Sequence, residues 1–94
     1  MTSISDLAPE QREEITARLK RIEGQTRGIQ KMVEEGRDCA EILNQMAAAR
    51  AAMNALSTEL LEAFALRCMQ HPEEFSSHQA ALETAVRAII RSGR

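Results

Sequence analysis

The segment from Cys39 to Gln70 reads as one unbroken helix that stops before Pro72, and its length decides most of what the chain can become. At 1.5 Å per residue it runs about 48 Å, which outreaches the other elements of a 94-residue chain. A three-helix protomer of this size has a thin core, so the long helix keeps bare apolar surface unless a partner covers it. Hydrophobic residues make up 44% of the chain and aromatic ones only 2%, a balance suited to helices that pack through aliphatic ridges. The expectation is one all-α domain over 1–94 that oligomerises.

Two further helices flank the long one. Helix one is expected over about 9–35, opened by Pro9 at its first position and closed by Gly36 in the left-handed conformation. Its seam of Ile15, Leu19, Ile22, Thr26, Ile29 and Val33 alternates steps of four and three, which predicts pairing along its whole length. Gly24 and Gly28 lie off that seam and lower helix propensity by about 1 kcal/mol each relative to alanine. Close packing against a neighbouring helix explains them as well as a functional role does. Helix two, 39–70, opens on a capping box from Asp38 to Glu41. Helix three, 77–91, carries a possible capping box from Ser76 to Gln79 and an apolar face of Leu82, Ala85, Val86 and Ile89. Residues 71–75 connect the two, the tail 91–94 is expected to fray, and no strand signal, repeat or low-complexity tract appears.

Cys39 and Cys68 are 29 residues apart, about eight turns, so they share one stripe of the long helix while lying about 43 Å apart along its axis. They cannot meet within one chain. If the helix pairs antiparallel with its copy and crosses near 53–54, each Cys39 lands beside the partner's Cys68. Around that crossing Ala47, Ala48, Ala49, Ala51, Ala52 and Ala55 would let two backbones come close. The stripe continues through Leu43, Met46, Arg50, Met53, Ser57, Leu60 and Phe64. A thiol at the first helical position faces the positive end of the helix dipole, which favours the thiolate at Cys39. Arg67, adjacent to Cys68, either brings a second cation to the pair or is an ordinary exposed arginine. The alternative for both cysteines is that they are small core residues.

Zinc chemistry is disfavoured: no closely spaced ligand pairs occur, and His71 and His78 lie off the cysteine stripe. Two thiolates alone could hold Cu(I), but the third ligand would normally sit near Phe64, which cannot ligate. Sulfur exchange is the remaining chemistry for a reactive thiolate facing a second thiol. No nucleophile triad, phosphate loop or set-off carboxylate pair suggests an enzyme. The formal net charge is −2, yet Arg18, Lys20, Arg21, Arg27 and Lys31 gather against the single acid Glu23. Such a basic stripe suits a nucleic-acid surface, with a solvated helix face as the plain alternative. Without an apolar run that could serve as a signal or span a membrane, the chain is expected in the cytoplasm, where thiols stay reduced.

The run from Arg18 to Gln25 (RLKRIEGQ), followed by Gly28 and Ile29, Asp38 and Cys39, and Arg50 with Ala51 and Ala52, resembles the CsoR/RcnR/FrmR family of small all-helical transcriptional repressors over about residues 14–90. The resemblance implies a three-helix protomer, an antiparallel dimer built as a four-helix bundle, and a disc-shaped dimer of dimers, a homotetramer, that binds operator DNA through basic residues. It also implies an effector site between helix two of one protomer and helix two of the other. The copper-sensing branch carries Cys, then His, then Cys, at positions matched here by Cys39, Phe64 and Cys68. The nickel and cobalt branch uses an N-terminal histidine, absent from Thr2, Ser3 and Ile4, and the formaldehyde branch an N-terminal proline where Thr2 stands. A Cys/non-His/Cys pattern is similar to the persulfide-sensing CstR branch. The expected function is therefore a DNA-binding repressor that senses reactive sulfur through Cys39 and the partner's Cys68, lined by Phe64 and Arg67, with no cofactor. Arg18, Lys20, Arg21, Lys31 and Arg50 are its expected DNA contacts. A two-thiolate Cu(I) sensor, a formaldehyde-responsive repressor and a helical protein-interaction module are the alternatives.

Overall fold

The computed structural model describes residues 3–92; Thr2, and Gly93 and Arg94 of the tail expected to fray, lie outside them. Three helices carry the fold: α1 (Pro9–Glu34), α2 (Cys39–Gln70) and α3 (His78–Ser92). Short 3-10 turns precede α1 at Ile4–Asp6 and join α2 to α3 at Pro72–Glu74. Each boundary has a local cause. Pro9 opens α1, whose end is sealed by Gly36 at φ +68°. There the Gly36 N–H donates to Val33 O at 3.1 Å and the Arg37 N–H to Met32 O at 3.0 Å, the paired bonds that close a helix on a left-handed residue. Alanine at position 36 would have to adopt that left-handed backbone at a cost of about 1 kcal/mol.

At the start of α2 the Asp38 carboxylate accepts from the N–H groups of Ala40 (3.1 Å) and Glu41 (3.4 Å). The reciprocal half of the expected capping box is missing, because the Glu41 carboxylate turns to Arg37, 2.6 Å away. The start of α3 also differs by a residue from the expectation. Ser77, not Ser76, supplies the cap, its Oγ accepting from the Ala80 N–H at 3.1 Å, and the Gln79 side chain donates to Glu83 at 3.4 Å instead of reaching back. Two adjacent serines offer equal caps in sequence, and the exit of the chain from the 3-10 turn selects the second.

Both α1 and α3 pack against α2, and among the described residues they do not touch one another. The protomer measures 55 × 27 × 14 Å, so its thinnest dimension is little more than one helix diameter. A layer one helix thick cannot enclose a core. Its buried apolar residues are Leu7, Ile15, Ile22, Leu56, Cys68, Ala81 and Ala85, and Ile15, Ile22 and Leu56, backed by Ala52, form the cluster between α1 and α2. An ion pair from Arg18 to Glu59 fastens the same two helices.

Of the helix-one seam only Ile15 and Ile22 are buried within the protomer. Leu19 and Val33 are exposed, Ile29 is half-buried, and the Thr26 hydroxyl donates to its own helix at Glu23 O. On α3 the inward face is set by Ala81 and Ala85, whereas Leu82, Val86 and Ile89 face outward at about half exposure. Small residues allow the closest approach of two helices, so the alanine edge wins the contact and the bulkier stripe is left outside. Gly24 and Gly28 have no neighbour within the protomer, since a Cβ built on either meets nothing within 4 Å. Close packing inside the protomer is therefore not their reason.

Candidate functional site

Because α2 runs unbroken from Cys39 to Gln70, its helical geometry holds the two cysteines on one stripe at opposite ends, about 43 Å apart. Their surroundings differ sharply. Cys39, in the first turn beside the Asp38 cap, is exposed, while Cys68, in the last turn, is fully buried. Between them the stripe is open: Leu43, Met46, Met53 and Leu60 all remain exposed. Among the described residues of one protomer no three His, Cys, Asp or Glu side chains gather at metal-binding range, so an ion held by both thiols would draw them from two chains.

Phe64, half-buried, lines a groove of about 440 Å³ with Ile4, Leu7, Leu60, Leu61 and Ala88, and Arg91 stands at its edge. The side chain expected to line the thiol site is therefore also part of an apolar trough running between the N-terminal turn, α2 and α3. No sequence signal marks this trough, because its walls come from three segments distant in sequence: the N-terminal turn, α2 and α3.

Arg67 is not the freely exposed arginine of the plain alternative. Its guanidinium pairs with the Glu74 carboxylate in the connecting turn, with both side chains about one quarter exposed, and donates to the Asp6 carbonyl at 3.4 Å. The hydrogen bond to Glu74 comes first among the causes that hold the Arg67 guanidinium above its ordinary range, opposed by desolvation. Arg67 Nε and Glu74 Oε2 are buried without hydrogen-bond partners. Next to them the His71 imidazole meets Glu73 at 2.9 Å. The Glu73 carboxyl lies below its usual range, chiefly through a hydrogen bond with its own backbone N–H and then through His71.

The expected DNA contacts do not gather on one face. Lys20, Arg21 and Lys31 are exposed on the side of α1 turned away from Ile15 and Ile22, and Arg27 joins them while pairing loosely with Glu23 at 3.5 Å. Lys20, Arg21, Lys31 and Arg50 make no ion pair among the described residues. Arg18, by contrast, points to α2 and is held by Glu59, with each side chain about one third exposed. Arg50 is exposed on α2, but eleven residues from Cys39 its 100° steps return it to the cysteine stripe rather than the α1 face. Gly24 and Gly28 lie in the middle of the cationic side of α1. Neither Glu59 nor Glu74 stood out in the sequence, since each is one carboxylate among 14 and only the fold shows which ones meet an arginine.

A family profile described as metal-sensitive transcriptional repressor matches residues 11–91. The chain is 46% identical to the copper-sensing transcriptional repressor CsoR of Bacillus subtilis over 67 residues, which cover 71% of this chain and 66% of that one. It is 35% identical to the copper-sensing transcriptional repressor RicR of Mycobacterium tuberculosis over 60 residues, 64% of this chain and 62% of the relative. The chain thus spans just under two thirds of the length of these two relatives. Among solved structures, the copper-sensing repressor CsoR of Geobacillus thermodenitrificans, crystallised with Cu(I), superposes with a TM-score of 0.82 at 37% identity, covering 100% of this chain and 95% of that one. With the three-helix fold, the paired cysteine positions and a match that runs through nearly all of the sequence, the chain belongs to the metal-sensitive transcriptional repressor family of CsoR and RcnR.

Proposed function

We propose that the protein is a cytoplasmic, DNA-binding repressor that responds to reactive sulfur through Cys39 of one protomer and the partner's Cys68. The observation that carries this reading is the pair of thiols at opposite ends of one straight helix, with an exposed apolar stripe between them and a phenylalanine, Phe64, one turn from Cys68. Antiparallel pairing of two such stripes covers Leu43, Met46, Met53 and Leu60 and brings each Cys39 to a Cys68 of the other chain. A second pairing of dimers would cover Leu82, Val86 and Ile89.

The chemistry balances without an added oxidant. The Cys39 thiolate attacks the sulfane sulfur of a low-molecular-weight persulfide, which leaves as its parent thiol while Cys39 becomes the persulfide. The partner's Cys68 thiolate then attacks the Cys39 sulfur and expels hydrosulfide, which carries off the electron pair of the broken bond. One further sulfane atom, where present, stays in the bridge as a trisulfide. Two such links clamp both ends of the central bundle and bias the assembly toward a quaternary shape that fits DNA less well. Lys20, Arg21 and Lys31 are the phosphate contacts in this reading, whereas Arg50, on the cysteine stripe near the expected crossing of the two α2 helices, would reach DNA only from the rim of that seam. Arg18 contributes only by giving up Glu59.

A second reading is Cu(I) sensing, favoured by the names of the relatives at 46% and 35% identity. The donor set fits a two-thiolate Cu(I) site drawn from two protomers and does not fit a three-ligand one, because Phe64 supplies no donor atom. Intact mass spectrometry under denaturing, non-reducing conditions separates the two. A persulfide donor should give covalent dimers offset by whole sulfur atoms, accompanied by release of operator DNA. Release on stoichiometric Cu(I), with no covalent dimer after the persulfide donor, would assign the site to the metal.

A further inference from the structure

Cys68 carries the second half of the proposed reaction, yet it is the most deeply buried side chain among the described residues. The residue before it, Arg67, holds together three segments around this end of α2. Its guanidinium grips Glu74 of the 3-10 turn that follows α2, and reaches the Asp6 carbonyl of the turn that precedes α1. The turn leads directly into α3, which packs along α2. The chain leaves α2 at His71 and passes through Pro72–Glu74, where Glu73 is largely exposed. Charge-assisted hydrogen bonds from a partly buried guanidinium are a strong hold on such a turn.

We propose that the Arg67–Glu74 pair, with the Asp6 carbonyl, is a clasp that closes the α2–α3 connection over Cys68 and sets its reactivity, making Arg67 and Glu74 positioning residues for the thiol pair. Within one protomer Cys39 stands at the opposite end of α2, about 43 Å from the clasp. Within a protomer one thiol is thus exposed and the other buried, and the buried one becomes available when the clasp loosens. Such an arrangement favours loading of sulfur on Cys39 before Cys68 is exposed, and keeps Cys68 from reacting with passing oxidants by itself. The inference rests on Cys68 being the second thiol of the effector pair, but its test uses neither effector nor DNA.

The full-length protein is pulsed with N-ethylmaleimide, and labelling of each cysteine is followed by peptide mass spectrometry, with Cys39 as the internal reference. Glu74→Gln, which keeps the shape of the side chain and removes its charge, should speed labelling of Cys68 by about tenfold, the loss of one charged hydrogen bond, and by far more than it changes the Cys39 rate. Arg67→Lys, which keeps the charge and loses the fork, should give a smaller increase and carries the test if the first variant does not assemble. Glu41→Gln, which breaks the ion pair to Arg37 at the other end of α2, should leave Cys68 as slow as in the wild type. A Cys68 rate that stays at the wild-type value in both clasp variants overturns the proposal, as does an equal rise in Glu41→Gln, which would mark general loosening. A confirmed clasp together with no persulfide bridge would leave this inference standing and remove the sulfur-sensing reading.

Discussion

Phe64 is the residue on which the effector choice turns. A phenyl ring offers no lone pair, so Phe64→His is expected to complete a trigonal site of one imidazole and two thiolates and to tighten Cu(I) binding, measured by competition with a Cu(I) chelator. Equal affinity in the wild type and the variant, with DNA release by Cu(I) in both, would leave no role for the substitution and favour the copper reading. The arginines make a second contrast at this scale. Arg21 is exposed, whereas Arg18 is engaged with Glu59. Arg21→Ala should weaken operator binding and reduce the dependence of log K on log salt by about one unit for each phosphate that the complex no longer neutralises. Arg18→Ala should act first on stability, lowering it by up to about 1 kcal/mol as a partly exposed pair is removed, with a smaller change in the salt slope. Fluorescence anisotropy across a salt series and thermal unfolding measure the two effects separately.

Among the elements, α1 holds two glycines in its exposed interior where nothing within the protomer requires them. Gly24→Ala and Gly28→Ala should each stabilise the protein by about 1 kcal/mol through helix propensity, read from denaturant unfolding. Stabilisation that fails to appear would mean that a neighbouring subunit lies against this face. The boundaries of α1 and α2 were legible because their signals are local: Pro9, Gly36, Asp38 and Pro72 act on their own backbone within a turn. The cap of α3 was misplaced by one residue, since Ser76 and Ser77 are locally equivalent. Its apolar face is buried only in part. Periodicity identifies an apolar stripe but not which edge of it a neighbour touches, and here Ala85 of that stripe is buried together with Ala81, while Leu82, Val86 and Ile89 stay exposed.

For the whole molecule, the governing fact is a protomer one helix thick with exposed leucine, isoleucine, valine and methionine along all three helices. Assembly with a second copy is the expected way to remove that surface from water. Met53 lies at the expected crossing of two α2 helices, so Met53→Glu would bury like charges against each other and should dissociate the dimer, as measured by analytical ultracentrifugation. An unchanged sedimentation coefficient would place the interface elsewhere. The sequence by itself determined the helices, the eight-turn relation between Cys39 and Cys68, and the family, because each follows from local propensity, from the 3.6-residue repeat or from an ordered set of residues along the chain. Only the tertiary structure decided that Cys39 is open and Cys68 closed, that Arg18 belongs to Glu59, and that Arg67 belongs to Glu74 and the Asp6 carbonyl. Those outcomes depend on which distant segments share one small volume, and on which of many similar charges the packing brings within reach.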